Sequence, residues 1–528
     1  MVVCKDIEKG FDMRLARTKN AISNSIWGLV SKSVILLMPF VVRTIIIKVL
    51  GVEYLGLSSL FTSILSVLNL AELGIGSAIV FSIYKPIAEN DDKLICALLN
   101  LYKKAYRWIG IIITAIGLCL IPFLRTLVSG NVPSDISLHV LFLIYLANTA
   151  ISYWLFAYRS CLLFAHQRND VISKISIVAN LGMYLAQIGS LFLFKHYYAY
   201  IIIQPFFGIL INLTNAFFSK KMYPHYFCKG SIGDALKADI KKRVQGLVMT
   251  KVAYASRNAF GSIVISAFLG LQVVAVYSNY YYISSAVSGL MLVLMNAISA
   301  GVGNSIVTDS KEKNEKDMKI INFLYMSIAG FCFCCFVSLY QPFMRLWVGE
   351  ELLFSEGVML TISVYFFLEK TLNVIGQYYD AAGLWWHGRW KGVIESFTNL
   401  VLNVVLCRLF GVFGVVIATI ISILFVGLPL AYYYIYKYYF GGSFFEPLKE
   451  QFMFLIKFLL IGFLVYLVTF FVPLGTGAGY SILYMVLRLI FFSIISVAMY
   501  LLFFYKDKRF IEAKSWVRQR LYLLKSDS

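Results

Sequence analysis

Charge is what this sequence has least of. Asp, Glu, Lys and Arg make up 14% of its 528 residues, where a soluble chain carries about 25%. So few charges exclude a large water-exposed domain. Nine cysteines are scattered without metal-ligand spacing, and Cys332, Cys334 and Cys335 fall inside an apolar stretch. Neither a disulfide framework nor a metal centre is implied. No P-loop, dinucleotide fingerprint or nucleophile elbow is present, so no cofactor is expected. About 20 mixed polar residues precede the first hydrophobic block, which is too long for the core of a cleavable signal peptide.

What is there is hydrophobic. Apolar residues reach 60%, mean hydropathy is +0.78, and they recur in blocks long enough to cross a bilayer. Continuous apolar blocks mean helices, because lipid leaves every backbone group to be satisfied within its own segment. The expected fold is an all-α polytopic membrane protein of fourteen transmembrane helices. They are placed near 22–49, 54–84, 105–127, 137–165, 174–194, 198–219, 249–269, 273–306, 321–348, 357–386, 391–410, 412–437, 452–473 and 480–505.

The formal charge of +20, from 47 basic against 27 acidic residues, does not point to nucleic acid. The basic residues gather in alternate loops, as the positive-inside rule requires. Loops 85–104 and 307–320, the segment 220–248 and both termini are expected to be cytoplasmic. The turn at 349–356, with Glu350, Glu351 and Glu356 and no Lys or Arg, is expected outside. The tail 506–528 interleaves Trp516, Leu521 and Leu523 with basic residues, an amphipathic pattern suited to membrane lipids of the inner leaflet.

Within the second block, residues 54–84, lie Asn69, Glu72, Gly74 and Gly76. A carboxylate at that depth costs about 2.5–3.5 kcal/mol on insertion scales. It must therefore face a polar cavity or a partner. The wording NLAELGIGSAIVFSIYKPIAEND closely resembles the second helix of bacterial polysaccharide flippases, the lipid-linked oligosaccharide exporters of the multidrug/oligosaccharidyl-lipid/polysaccharide superfamily. The family's acidic residue, Leu-Gly and second small residue are matched by Glu72, Leu73, Gly74 and Gly76. The resemblance covers roughly residues 20–440. It implies two six-helix lobes, often followed by two further helices.

An internal repeat agrees with two lobes. At an offset of about 220 residues, Lys32 and Gly51 match Lys251 and Gly270, and Pro122, Phe123 and Arg125 match Pro342, Phe343 and Arg345. His166 and Arg168 match His387 and Arg389; Asn69, Gly74 and Gly76 match Asn296, Gly301 and Gly303 at a slightly larger offset. Six helices per unit give the copies one orientation, related by an axis along the membrane normal. The expected organisation is a lobe over 1–219, a cytoplasmic linker over 220–248, a second lobe over 249–440, two extra helices within 441–505 and the basic tail. The two pseudo-symmetric lobes would surround a central cavity.

Helix 1 carries Ser25, Lys32, Pro39 and Arg43 on one stripe. Lys32, Arg159, Lys251 and Arg257 fall at similar depths from the cytoplasmic side. They could ring a cavity and pair a desolvated pyrophosphate; the plainer reading for Lys32 and Lys251 is snorkelling to the interface. Asn69, Glu72, Asn296, Glu369 and Asp380 are candidates for cavity polarity or coupling-ion binding. Structural ion pairs are the alternative for the acids, and for Glu72 a cation from another helix. The tyrosines at 277–282 and 432–439 read mostly as interfacial belts.

The resemblance implies translocation rather than catalysis. The substrate would be an undecaprenyl-diphosphate-linked oligosaccharide repeat unit, moved by alternating access from the cytoplasmic to the outer leaflet of the bacterial inner membrane. It also implies a proton or sodium as coupling ion and a polysaccharide polymerase as partner. Two alternatives stand beside it: a small-molecule cation antiporter of the same superfamily, and a membrane glycosyltransferase or polymerase. The short external turns leave the enzyme little room for a site.

Overall fold

The computed structural model describes residues 2–69, 72, 75–130, 132–472 and 482–526. Side chains are not described for residues 2–22, 25, 77, 247, 250, 251, 253, 254, 258, 300 and 520–526. Among the described residues there is no strand. The chain forms two compact units. The first is Met1–Lys251 with Gly270–Ala275; the second is Val252–Leu269 with Val276–Ser528.

The first unit begins with α1 (Val2–Val49), α2 (Val52–Leu68), α3 (Ile75–Glu89) and α4 (Asp92–Leu120). It continues with α5 (Leu138–Trp154), α6 (Ser160–Ala165), α7 (Asn169–Phe194), α8 (Tyr197–Ile201) and α9 (Ile203–Met222). α4 starts where Asp91 caps it, its carboxylate accepting from Leu94 N at 3.0 Å, with Asp92 in the first turn. One core cluster packs Val42 and Ile46 of α1 with Leu55 of α2 and Leu191 of α7. Ala275 closes that cluster, which explains why the short stretch 270–275 belongs to this unit.

Two helices of this unit are broken. The expected helix 54–84 holds α2 and α3, with Glu72 in a turn between them: Glu72 N bonds Asn69 O and Ile75 N bonds Glu72 O, each at 3.0 Å. The expected helix 137–165 is α5 and α6, bent by 45°. Phe156 stands at the bend with φ 54, a left-handed conformation unusual for a bulky residue. The segment 220–248, expected as a linker, is ordered in part against α4 and in part as helix. Residues 223–233 fold back on α4, with Asn100 Nδ2 donating to Gly230 O at 2.8 Å. From Asp234 the chain is already α10 (Asp234–Leu269). The pairs Lys237–Asp234 and Arg243–Asp239, both at 2.9 Å and spaced for one helix face, favour that extension.

The second unit holds most of α11 (Leu271–Thr308), then α12 (Lys311–Val348) and α13 (Glu356–Ala381). It goes on through α14 (Arg389–Ser422), α15 (Leu428–Ile435), α16 (Phe445–Thr469), α17 (Ile482–Phe504) and α18 (Lys508–Ser526). Gly411 (φ 59, ψ −138) kinks α14, and the two expected helices 391–410 and 412–437 meet there. The tail helix α18 turns Ala513, Trp516 and Val517 inward and leaves Lys508, Lys514 and Arg518 exposed. Trp516 Nε1 donates to Asp317 of α12 at 3.2 Å, and Lys457 of α16 pairs with Asp507 at 2.7 Å just before the helix.

Among the described residues, ten helices are long and apolar enough to cross a membrane, or eleven with the bent α5–α6 pair. The broken α2–α3, the polar-headed α10 and the two halves of α14 account for the difference from fourteen. Apolar side chains point outward along these helices, as with Ile35 and Leu37 of α1, Leu193 of α7 and Leu502 of α17. Such faces suit lipid and not water.

Candidate functional site

Non-helical backbone is tolerated at membrane depth only where protein buries it or it lines a cavity. Both helix breaks of the first unit meet that condition at one place. A cavity of about 670 Å³ is lined by Glu72 at the first break, by Ser152, Tyr153, Ala157 and Ser160 around the second, and by Tyr102 and Tyr106 of α4. Phe81, Tyr84, Phe164 and Asn169 also line it.

Glu72 is held by tyrosines. Tyr106 donates to its Oε1 at 2.6 Å, Tyr153 donates to its Oε2, and Tyr102 donates to the Tyr106 oxygen at 2.8 Å. Asn69 Oδ1 lies 3.2 Å from the Tyr153 hydroxyl, so the expected pair Asn69 and Glu72 share one donor. The rings support each other, Tyr102–Tyr106 edge to face with centroids 4.4 Å apart and Tyr106–Tyr153 tilted with centroids 5.4 Å apart. Gly76 makes room: a Cβ there would stand 2.9 Å from the Tyr102 hydroxyl. No ion pair of Glu72 occurs among the described residues, so the cation weighed for it from another helix is not found there. Neutral donors solvate the charge instead.

The other expected residues lie on several elements of each unit. Lys32 is exposed on α1. Arg159 is half-buried in the short turn after the α5 bend, and its carbonyl accepts from Ser219 Oγ at 3.0 Å. The side chain of Lys251 lies outside the described residues. In the second unit Asn296 is exposed on α11. Asp380 is exposed at the end of α13, where it accepts from Trp385 Nε1 at 3.1 Å.

Arg257 is buried and ion-paired with Glu395, which is 1% exposed. Glu369 pairs with its neighbour Lys370 at 2.7 Å, and Lys370 Nζ also reaches Ser288 Oγ at 2.6 Å. Beside the Arg257 pair, Ser256 bonds Ser396 at 2.8 Å, and Asn399 bonds Thr419 at 3.1 Å. These charges are paired inside the second unit, while Arg257 Nε and Glu395 Oε2 have no hydrogen-bond partner among the described residues. Arg257 therefore has a carboxylate, that of Glu395, as its partner.

Sequence reasoning missed the tyrosines. Tyr102 and Tyr106 stand four residues apart on one face of α4, a spacing that places two hydroxyls together. That signal was present, but thirty-five tyrosines in the chain diluted it.

The fold is that of known membrane transporters. The lipid II flippase MurJ in an inward closed conformation aligns over 91% of this chain and 99% of its own, with TM-score 0.61 and 17% identity. An inward-facing multidrug resistance transporter of the MATE family aligns over 75% of this chain and 93% of its own, with TM-score 0.55 and 15% identity. The Vibrio cholerae MATE transporter VcmN aligns over 81% and 99%, with TM-score 0.56 and 12% identity. No curated protein sequence matches. Residues 21–299, more than half of the chain, match the polysaccharide biosynthesis protein family. The chain belongs to that family, a flippase family of the MOP superfamily.

Proposed function

We propose that this protein carries a lipid-linked oligosaccharide, on an undecaprenyl diphosphate, from the cytoplasmic to the outer leaflet of a bacterial inner membrane. The observation that carries this reading is the match of residues 21–299 to polysaccharide biosynthesis proteins on a transporter fold. The cavity of the first unit supports it, since a polar site framed by two helix breaks is what a translocating chain needs to receive a polar headgroup. The chain acts by binding and release, with both termini and the basic segment 220–248 on the cytoplasmic side. The alternation of basic loops supports that topology.

One observation favours a second reading, a cation antiporter: among the described residues the only charged side chain lining the cavity is Glu72, whose sign suits a small organic cation. Deletion of the gene separates the two. Loss of exported polysaccharide, with lipid-linked repeat units retained inside, is the outcome expected of the flippase. Normal polysaccharide with increased sensitivity to cationic drugs would overturn it.

A further inference from the structure

The cavity of the first unit has a chemistry of its own. Its wall is aromatic and hydroxylated: Tyr84, Tyr102, Tyr106 and Tyr153, with Phe81 and Phe164. Tyr84 and Phe164 keep 45% and 43% of their surface exposed, so their ring faces are available, and Phe81 is 60% exposed with Arg243 over its ring. Asn169 Oδ1 is buried at this wall and has no hydrogen-bond partner among the described residues. The site therefore offers aromatic faces, an unused acceptor and a carboxylate.

No Lys, Arg or His lines the cavity among the described residues. A diphosphate placed beside Glu72 would meet a like charge in a medium that screens poorly. A metal ion is equally ill served: both Glu72 oxygens already accept tyrosine protons, and no cluster of three metal-ligating residues occurs among the described residues. A pyranose ring fits on both counts. Its C–H faces pack on the negative face of an aromatic ring, and its hydroxyls donate to carboxylate and amide oxygens.

The rim differs from the interior. Arg243, on the amino-terminal part of α10 and within the same unit, lies over the ring of Phe81 at 4.9 Å from its centroid. Its Nε is engaged by Asp239 at 2.9 Å, which leaves terminal nitrogens for another acceptor.

Resting on the flippase reading above, we infer that this cavity is a glycan subsite. It takes the first sugars of the lipid-linked oligosaccharide between Tyr84 and Glu72, while the diphosphate stays at the rim on Arg243. The sugar rings, neutral or amino-substituted, are what the cavity reads.

Two probes test this with the full-length chain in lipid nanodiscs: undecaprenyl diphosphate, and the same lipid carrying one N-acetylhexosamine. The wild type is expected to bind the glycosylated lipid about tenfold more tightly, the worth of one charge-assisted hydrogen bond. Tyr84→Ala and Asn169→Ala, each checked for an unchanged melting temperature, are expected to reduce that preference to under about threefold without weakening the bare lipid. Arg243→Gln is expected to weaken both lipids by one common factor. Equal binding of the two lipids by the wild type overturns the subsite, as does a preference that survives both Tyr84→Ala and Asn169→Ala. Binding of neither lipid overturns the flippase reading together with it.

Discussion

Tyr106 of α4 donates its hydroxyl proton to Glu72 Oε1 at 2.6 Å, and the carboxylate has no cationic partner among the described residues. An acid held by neutral donors can lose its charge without stranding a partner's. Glu72→Gln keeps the volume and one acceptor for a tyrosine. It is expected to cost about 0.5–1.5 kcal/mol, the worth of a hydrogen bond, and to insert at normal levels. Polysaccharide export is expected to fall all the same, because the carboxylate faces the cavity. A collapse in membrane abundance would instead mean that the charge is structural.

Tyr106→Phe and Tyr153→Phe each remove a donor from that carboxylate. Leaving an acceptor short of its donor costs about 1–3 kcal/mol. Both effects should shrink when Glu72 is already Gln, because contacting residues are not additive. Melting temperatures of the single and double variants in detergent measure this coupling. Strict additivity would contradict the tyrosine-held carboxylate.

Arg257 and Glu395 form a buried pair between α10 and α14, with side chains 8% and 1% exposed. Arg257→Met alone or Glu395→Gln alone leaves an uncompensated buried group, at a cost of about 3–5 kcal/mol for the charge that remains. The double variant is expected to recover much of the lost abundance. If each single variant is as stable as the wild type, the pair is not what holds those helices together.

Lys457 and Asp507 fasten the start of α18, with 41% and 17% of their side-chain surface exposed. Burial raises the Asp507 carboxyl, but the Lys457 hydrogen bond and the Arg509 backbone N–H outweigh it and hold the group below its ordinary value. A depressed carboxyl contributes stability above its unfolded value, about 3.9, and loses it as pH falls through the lower folded value. The pair is partly solvated, so Asp507→Asn is expected to cost at most about 1 kcal/mol. Hydrogen exchange in α18 should quicken by about fivefold at neutral pH. The difference between variant and wild type should vanish in strong acid. An effect that grows as pH falls would contradict the sign.

The helices were legible because each is written locally, whereas 54–84 reads as one continuous helix and the structure holds two, α2 and α3. Apolar blocks give the spans, and Asn69, Glu72 and the small residues interrupt one of them. The basic 220–248 reads as a linker from its charge, and that charge does not show by itself that the helix α10 begins at Asp234. The Arg257–Glu395 pair joins residues 138 apart, and no local pattern announces such a partner. Tyr280, at 0% exposure, and Tyr436, at 3%, lie in the core, although their runs read as interfacial belts. Tyrosine serves either place, and only tertiary contact decides between them.

The most direct measurement is translocation itself. Purified protein is reconstituted into liposomes holding a fluorescent undecaprenyl-diphosphate oligosaccharide, and an added glycosidase reports how much of the lipid reaches the outer leaflet. The account expects the accessible fraction to rise from about half towards completion with the wild type, and to rise much more slowly with Glu72→Gln. A wild-type fraction that stays where protein-free liposomes leave it would contradict the account.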